Sequence, residues 1–334
     1  MFTKDAASAT RGKQLLMDAD TLDMFKKKYT FIHAIREYLY NCGAIEVEVA
    51  YMNKYREGAP LYQYETIDPL TQERFFLRHS PENYLRRIVQ PFRHVYEIGK
   101  DFRVEEEAAF RANEFTVLEH KSVEHNYREG IDMVVNMIRY AVEKTFGSLD
   151  TGVVDFSKLA IVSFDDMMKK YMGFSMFDPN YKEKALAMLE PFELPISEEK
   201  YDWEVFDLIL KYFIEANIST PTVVIDYPIS LQHISVVDNK KKTAERFTMV
   251  INTVEICDGG VKFDNAAEYK AVFDENTDYS KRYLKIPDFE VSPEFYEDID
   301  YVHERMFGYG LGIDRLFAVC VGKNIHDVIL FPHR

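Results

Sequence analysis

The sequence predicts an α+β fold, an antiparallel β-sheet flanked by helices. Three observations point there. Short segments of alternating apolar and polar residues recur along the chain and outnumber β–α–β patterns, which favours antiparallel pairing. Segments with apolar residues at helical spacing stand beside them. The 334 residues are 47% hydrophobic and 14% aromatic, enough for one sizeable core.

Residues 1–20 are small and polar and read as an N-terminal arm, loose or a short helix, preceding one large domain over 21–334. Met24, Phe25, Tyr29, Ile32, Ile35 and Leu39 mark a helix over 21–42, ended by Asn41 and Gly43. Ala44 to Val49 alternates like a strand, and Glu73 to Arg78 reads as another. Ser80-Pro81-Glu82 opens a helix to about Val89: serine caps, proline suits the first turn, and glutamate favours the positive end. Val95–Gly99 and Phe115–Glu119 are short strands around a charged loop, followed by a helix at about 127–146. From about 150 to 218 the pattern is helical and acidic, and reads as an insertion beside the core. Strands resume at Pro221–Pro228, and Arg246 to Cys257 reads as one long strand. A helical stretch near 292–307 leads to Gly308-Tyr309-Gly310-Leu311-Gly312-Ile313-Asp314-Arg315 and a final apolar helix.

Charge and composition exclude several classes. The net charge of −15 removes bulk attraction to a polyanion. Cys42, Cys257 and Cys320 form no CxxC or Cys/His cluster, which disfavours zinc and a disulfide framework and fits a reducing cytosol. No apolar run approaches the roughly 20 residues that span a bilayer, and the first residues carry no apolar signal core.

Two motifs carry chemistry. Phe102-Arg103-Val104-Glu105 with Asn113-Glu114-Phe115 lies between two strands. There an arginine can clamp phosphate or carboxylate, a glutamate can accept from an adenine amino group, and an aromatic ring can stack on a base. Taken alone, it also reads as a charged hairpin tip. The glycines of Gly308–Gly312 lack the spacing and surrounding β–α–β unit of a dinucleotide fingerprint. They suit a strand whose backbone meets a ligand closely, or a plain strand-to-helix turn.

In order and spacing, Arg78–Arg87, Tyr96–Glu105 and Asn113–Glu119 together resemble the second motif of the class II aminoacyl-tRNA synthetases, in the lysyl/aspartyl/asparaginyl branch. Gly308–Arg315, continuing to Asp327-Val328-Ile329-Leu330-Phe331-Pro332, resembles the third, and the segments at 25–42 and 44–49 sit where the first belongs. The resemblance covers about residues 20–334. It implies a homodimeric, cytoplasmic enzyme that uses ATP and Mg²⁺ to form an aminoacyl-adenylate. It further implies ATP held by Arg103, Glu105, Arg111, Phe115, Glu255 and Arg315, with Arg103 and Arg315 catalytic. Glu255 and Asp258 are the metal-binding acids it suggests, and Gly58, Glu82, Glu119, Lys121, Gly259 and Lys262 the amino-acid site.

Four departures shape the expectation. The segment resembling the first motif begins near residue 25, leaving no room for the anticodon-reading barrel of the branch. In this the chain is similar to stand-alone paralogues such as the ligase that lysylates elongation factor P. The acceptor expected is therefore a non-tRNA amine (protein lysine, ammonia or a small molecule). A truncated tRNA charger and a non-catalytic amino-acid-binding subunit are the alternatives. Ala50 replaces a proline of motif one, which weakens the case for the dimer. Thr248, expected on the same strand face as Glu255, replaces a metal-binding acid, so Mg²⁺ binds more weakly or Asp258 substitutes. Lys121 and Lys262 occupy positions where lysyl enzymes carry a tyrosine and an acid. Either both point to solvent, or they favour an acidic or carboxamide side chain over an amine.

Overall fold

A computed structural model describes residues 10–56, 61–284, 291–301 and 304–332. In chain order its elements are α1 (Arg11–Met17), α2 (Ala19–Asn41), β1 (Ile45–Glu46), β2 (Met52–Asn53), β3 (Glu65–Ile67), β4 (Arg74–Leu77), α3 (Glu82–Phe92), β5 (His94–Phe102), β6 (Glu114–Ser122) and α4 (Tyr127–Phe146). There follow β7 (Ala160–Ser163), α5 (Phe164–Met172), α6 (Tyr181–Leu189), α7 (Asp202–Ile209), β8 (Thr222–Pro228), β9 (Val237–Asp238), β10 (Thr243–Ile251) and β11 (Val254–Lys262). The chain continues with α8 (Ala266–Tyr279), α9 (Pro293–Asp300), β12 (Met306–Gly312), α10 (Ile313–Val321) and α11 (Ile325–Val328).

The main sheet runs β1-β5-β6-β12-β11-β10-β8-β7, with β9 on β10. All its pairs are antiparallel except β1 with β5 and β7 with β8. Register divides it into two faces, because directly paired residues point the same way. On one face Tyr96, Leu118, Tyr309, Cys257, Phe247 and Ile225 join α2, α4 and α10 in the principal core. The opposite face begins and ends apolar, on α3 at one side and on the α5–α7 segment at the other. Between those supports it carries Glu97, Asp101, Glu119, Lys121, Asp258, Lys262 and Arg246, alternating with glycines. Polar residues there roof no core; they floor a cleft.

Several expected elements differ. The stretch from Arg246 to Cys257 is a hairpin: Asn252 and Thr253 take φ of 48° and 65° between β10 and β11, the left-handed pair a two-residue turn needs. Asn-Thr lacks the glycine that would have signalled it. Only Ile45–Glu46 of Ala44–Val49 pairs as a strand. The helix near 292–307 is Pro293–Asp300, and Met306 already belongs to β12. The helix after Ser80 begins at Glu82, whose backbone N–H the serine hydroxyl accepts at 3.1 Å. Within 150–218 lie α5, α6 and α7, together with β7, which joins the main sheet beside β8.

One buried tie joins the helix layer to the sheet. Lys28 of α2 is 4% exposed; its Nζ lies 2.5 Å from Asp314 Oδ1 and donates to the carbonyl of Val328 at 2.6 Å. Asp314 Oδ2, on α10, accepts the backbone N–H of Thr116 at 2.7 Å.

Candidate active site

The floor of the cleft is open because β12 places Gly308, Gly310 and Gly312 on its polar face. A Cβ at Gly308 would come within 2.4 Å of Lys121 Cδ, and one at Gly310 within 3.0 Å of Glu119 Oε2. The two side chains therefore lie flat across strand β12, which only glycine permits.

On the β5–β6 side is a cavity of about 280 Å³ bordered by Arg103, Glu105, Arg111, Phe115, Glu255 and Arg315. The Arg103 guanidinium stands 5.4 Å over the Phe115 ring. Arg315, in the first turn of α10, donates to the carbonyls of Phe110 at 3.0 Å and Glu255 at 2.8 Å. Burial lowers the Arg315 pKa, Glu255 opposes that, and the like charges of Arg103 and Arg111 reinforce it. Three guanidiniums converging on one concavity favour a polyanion. Glu255 and Asp258 reach the same space through a register shift: Met249 pairs with Cys257 but Val250 with Glu255, leaving Ile256 as a bulge. The extra residue puts both acids on the polar face. Burial and the Asp258 charge raise the Glu255 pKa, with Arg315 and Arg246 opposing. Arg246 holds Asp258 through Nη2 at 2.7 Å and Nε at 2.9 Å.

A second chamber of about 1040 Å³ adjoins the first; Leu61, His79, Ser80, Glu82, Asp258 and Lys262 border both. Its far wall is Tyr201, Asp202 and Trp203 of the α7 region and Phe273, Asn276 and Tyr279 of α8. At its base Glu82 Oε1 meets Arg86 at 2.5 Å, Lys121 at 3.1 Å and Lys262 at 3.7 Å. Lys121 also pairs with Glu119. Burial would raise the Glu82 carboxyl, but Arg86, Lys121 and Lys262 outweigh it and hold it well below the ordinary range. Burial keeps His79 neutral, its pKa pushed down to about 3 with help from Arg103.

Most residues expected at the site are thus together. Lys121 lies beneath the cleft, fully buried, and neither it nor Lys262 points to solvent. Lys262 faces inward by plain strand alternation from Asp258. A Cβ on Gly259 would meet Phe247 and Tyr309, on the core face, so Gly259 serves sheet packing and borders neither cavity. Gly58 lies outside the described residues. Thr248 sits on β10, not on the strand of Glu255; it is fully buried and shares a 2.5 Å hydrogen bond with Tyr227. Among the described residues no group of three His, Cys, Asp or Glu is placed to hold a metal ion. A carboxylate pair beside a phosphate-sized cavity nevertheless suits Mg²⁺, which takes one or two protein carboxylates and completes its shell with phosphates and water.

Sequence reasoning missed Arg78, Arg86, Asp101 and Arg246. Arg78 is fully buried, clamps Glu97 at 2.8 and 2.9 Å, and stands 3.2 Å from Asp101. Burial pushes the Asp101 carboxyl up to about 8 against the pull of Arg78 and Arg103. Only the i,i+4 spacing of Glu82 and Arg86 was a usable signal.

A family model described as tRNA synthetases class II (D, K and N) matches residues 7–334. A lysine–tRNA ligase of Clostridium perfringens strain 13 is 27% identical over 337 residues, covering 96% of this chain and 66% of that protein. Lysine–tRNA ligases of Campylobacter jejuni strain RM1221 and Helicobacter pylori strain J99 are each 28% identical, covering 95% of this chain and 65% of theirs. The chain spans just under two thirds of the length of these relatives.

Proposed function

The chain belongs to the class II tRNA synthetases of the D, K and N group, and from that premise we propose that it activates an amino acid with ATP and passes it to an amine. The carrying observation is the convergence of Arg103, Arg111 and Arg315 on one concavity beside Glu255 and Phe115, adjoining a second chamber across Glu82. Adenine stacks on Phe115 with Glu105 at its amino group. The substrate carboxylate oxygen attacks the α-phosphorus in line, that O–P bond forms as the bond to pyrophosphate breaks, and the mixed anhydride with AMP remains. Arg103 and Arg315 stabilise the charge that develops on the phosphate oxygens. Bound Mg²⁺, held by Glu255 with Asp258 beside it, would supply further charge neutralisation. His79, neutral and between the chambers, gives Arg103 a rigid neighbour: its carbonyl accepts from Arg103 Nε at 3.4 Å.

The same reading takes residues 21–334 as one catalytic domain, with 150–218 as an insertion whose α7 region walls the larger chamber. It places the protein in the cytoplasm as a homodimer through α2 and β1, where Tyr40 and Ile45 are exposed apolar residues. A non-tRNA amine acceptor is supported by the net charge of −15. The names of the relatives favour a second reading, the charging of a tRNA. Amino-acid-dependent exchange of pyrophosphate into ATP tests activation; its absence with every amino acid removes the proposal. Transfer of label to tRNA in 0.15 M salt would select the second reading over the first.

A further inference from the structure

The larger chamber holds about 1040 Å³. That is the upper end of the roughly 300–1,000 Å³ that encloses a drug-sized ligand, so an amino acid at the Glu82 cluster leaves most of it free. The chamber is polarised. At its base Arg86, Arg246 and Lys262 face Glu82 and Asp258. At its far wall Glu199, Asp202 and Glu275 face Lys182 alone, which pairs with Asp202 at 2.8 Å.

The acidic end is also aromatic. The Tyr201 and Trp203 rings stack at 6.2 Å and 16°, and Tyr279 meets Trp203 edge-on at 4.9 Å and 80°. Trp203 and Tyr279 are half-buried, and Glu275 stands one turn before Tyr279 on α8, on the same side of the helix. Angled rings backed by carboxylates suit an organic cation. Ser235 also borders the chamber; it is 1% exposed, and its hydroxyl has no hydrogen-bond partner among the described residues. An isolated β-bridge to Lys262 puts it beside the base. A buried hydroxyl facing a cavity without a partner points to a ligand.

We propose that the far wall binds the distal ammonium of the acceptor, so that the amine receiving the activated amino acid is an alkyl diamine or polyamine. This rests on the activation reading above. A monoamine docked at the wall by its ammonium presents no nucleophile at the base. A diamine keeps one nitrogen protonated against Trp203 and Tyr279 and presents the other as free amine beside Ser235, whose oxygen accepts its N–H. The amine lone pair attacks the carbonyl carbon of the adenylate. The C–N bond forms, the C–O bond to AMP breaks with its electron pair, and the proton released by nitrogen passes to the departing phosphate.

Trp203 is the protein's only tryptophan, so its fluorescence reads the wall directly and separately from activation. The wild-type protein is titrated with putrescine, cadaverine, spermidine and the uncharged 1,4-butanediol at fixed ionic strength. The amines should change the emission saturably and bind about 10-fold or more tightly than the diol. Glu275→Gln should weaken their binding about threefold. Tyr279→Leu should weaken it further, and Glu275→Gln carries the test if that variant does not fold. With an amino acid that supports pyrophosphate exchange, amide formation should be about 10-fold or more faster with the diamines than with butylamine. Diamine binding without exchange would keep the site and refute activation. Exchange without diamine binding would keep activation and refute the site. Transfer to butylamine, or to N-acetyl-lysine methylamide standing for a protein lysine, as readily as to the diamines would overturn the proposal. So would equal binding of the diol, or diamine binding that neither substitution alters.

Discussion

Arg103 and Arg315 reach the nucleotide-side cavity from different elements, a strand end and a helix start, and among the described residues neither is held by a carboxylate side chain within hydrogen-bond distance. Their charge is left for the ligand. Arg103→Ala or Arg315→Ala should each cut pyrophosphate exchange about 100-fold or more without unfolding the protein. Near-wild-type exchange in either soluble variant would take that arginine out of the site. Asp101 makes a different prediction, about stability. Its folded pKa of about 8 lies above the ordinary aspartate value, so between those limits the folded state holds a proton that the unfolded state has released. Its stabilising contribution is complete below the unfolded pKa and is lost as pH rises toward 8. Denaturant midpoints should fall from pH 5 to pH 8.5, and Asp101→Asn should flatten that fall. An unchanged slope in the variant would place the titration elsewhere. Motif spacing made Arg103, Phe115 and Arg315 legible in the sequence. Arg86 and Asp101 were not, because their meaning depends on which neighbours fail to satisfy them.

Between elements, the tie from Lys28 on α2 to Asp314 on α10 is the most consequential polar contact away from the cleft. It holds the helix layer against the strand that ends in the glycine-rich floor. Lys28→Met keeps the aliphatic stem but removes the near cation, leaving a fully buried carboxylate with the backbone N–H of Thr116 and the more distant Lys100. The expected loss is about 3–5 kcal/mol in denaturant unfolding. A loss under about 1 kcal/mol would mean that water or Lys100, 4.0 Å from Asp314, takes over. At this scale helix α4 falls on the expected 127–146, and the Asn126–Glu129 capping box accounts for its start. The β10–β11 hairpin was not, since Asn252-Thr253 carries no glycine. Its bulge at Ile256 was also invisible, and the bulge is what turns the three-residue spacing of Glu255 and Asp258 into a shared face.

Across the whole molecule, one sheet separates a closed apolar core from an open polar face, and two adjoining cavities occupy that face. The smaller suits a nucleotide's phosphates by charge; the larger begins at the Glu82 cluster and extends to α8 and the α7 region, both in the second half of the chain. The family resemblance named the residues that share the cleft, but the larger chamber was beyond reach, because its far wall comes from α7 and α8, with no local motif. In the proposed reaction these cavities join a carboxylate to the α-phosphate of ATP. The direct measurement is oxygen tracing: the activated amino acid, labelled with ¹⁸O in its α-carboxylate, is incubated with ATP, Mg²⁺ and the protein, and the adenylate is cleaved with hydroxylamine. One ¹⁸O in AMP and unlabelled pyrophosphate are expected. Label in inorganic phosphate with release of ADP, or AMP without label, would contradict it.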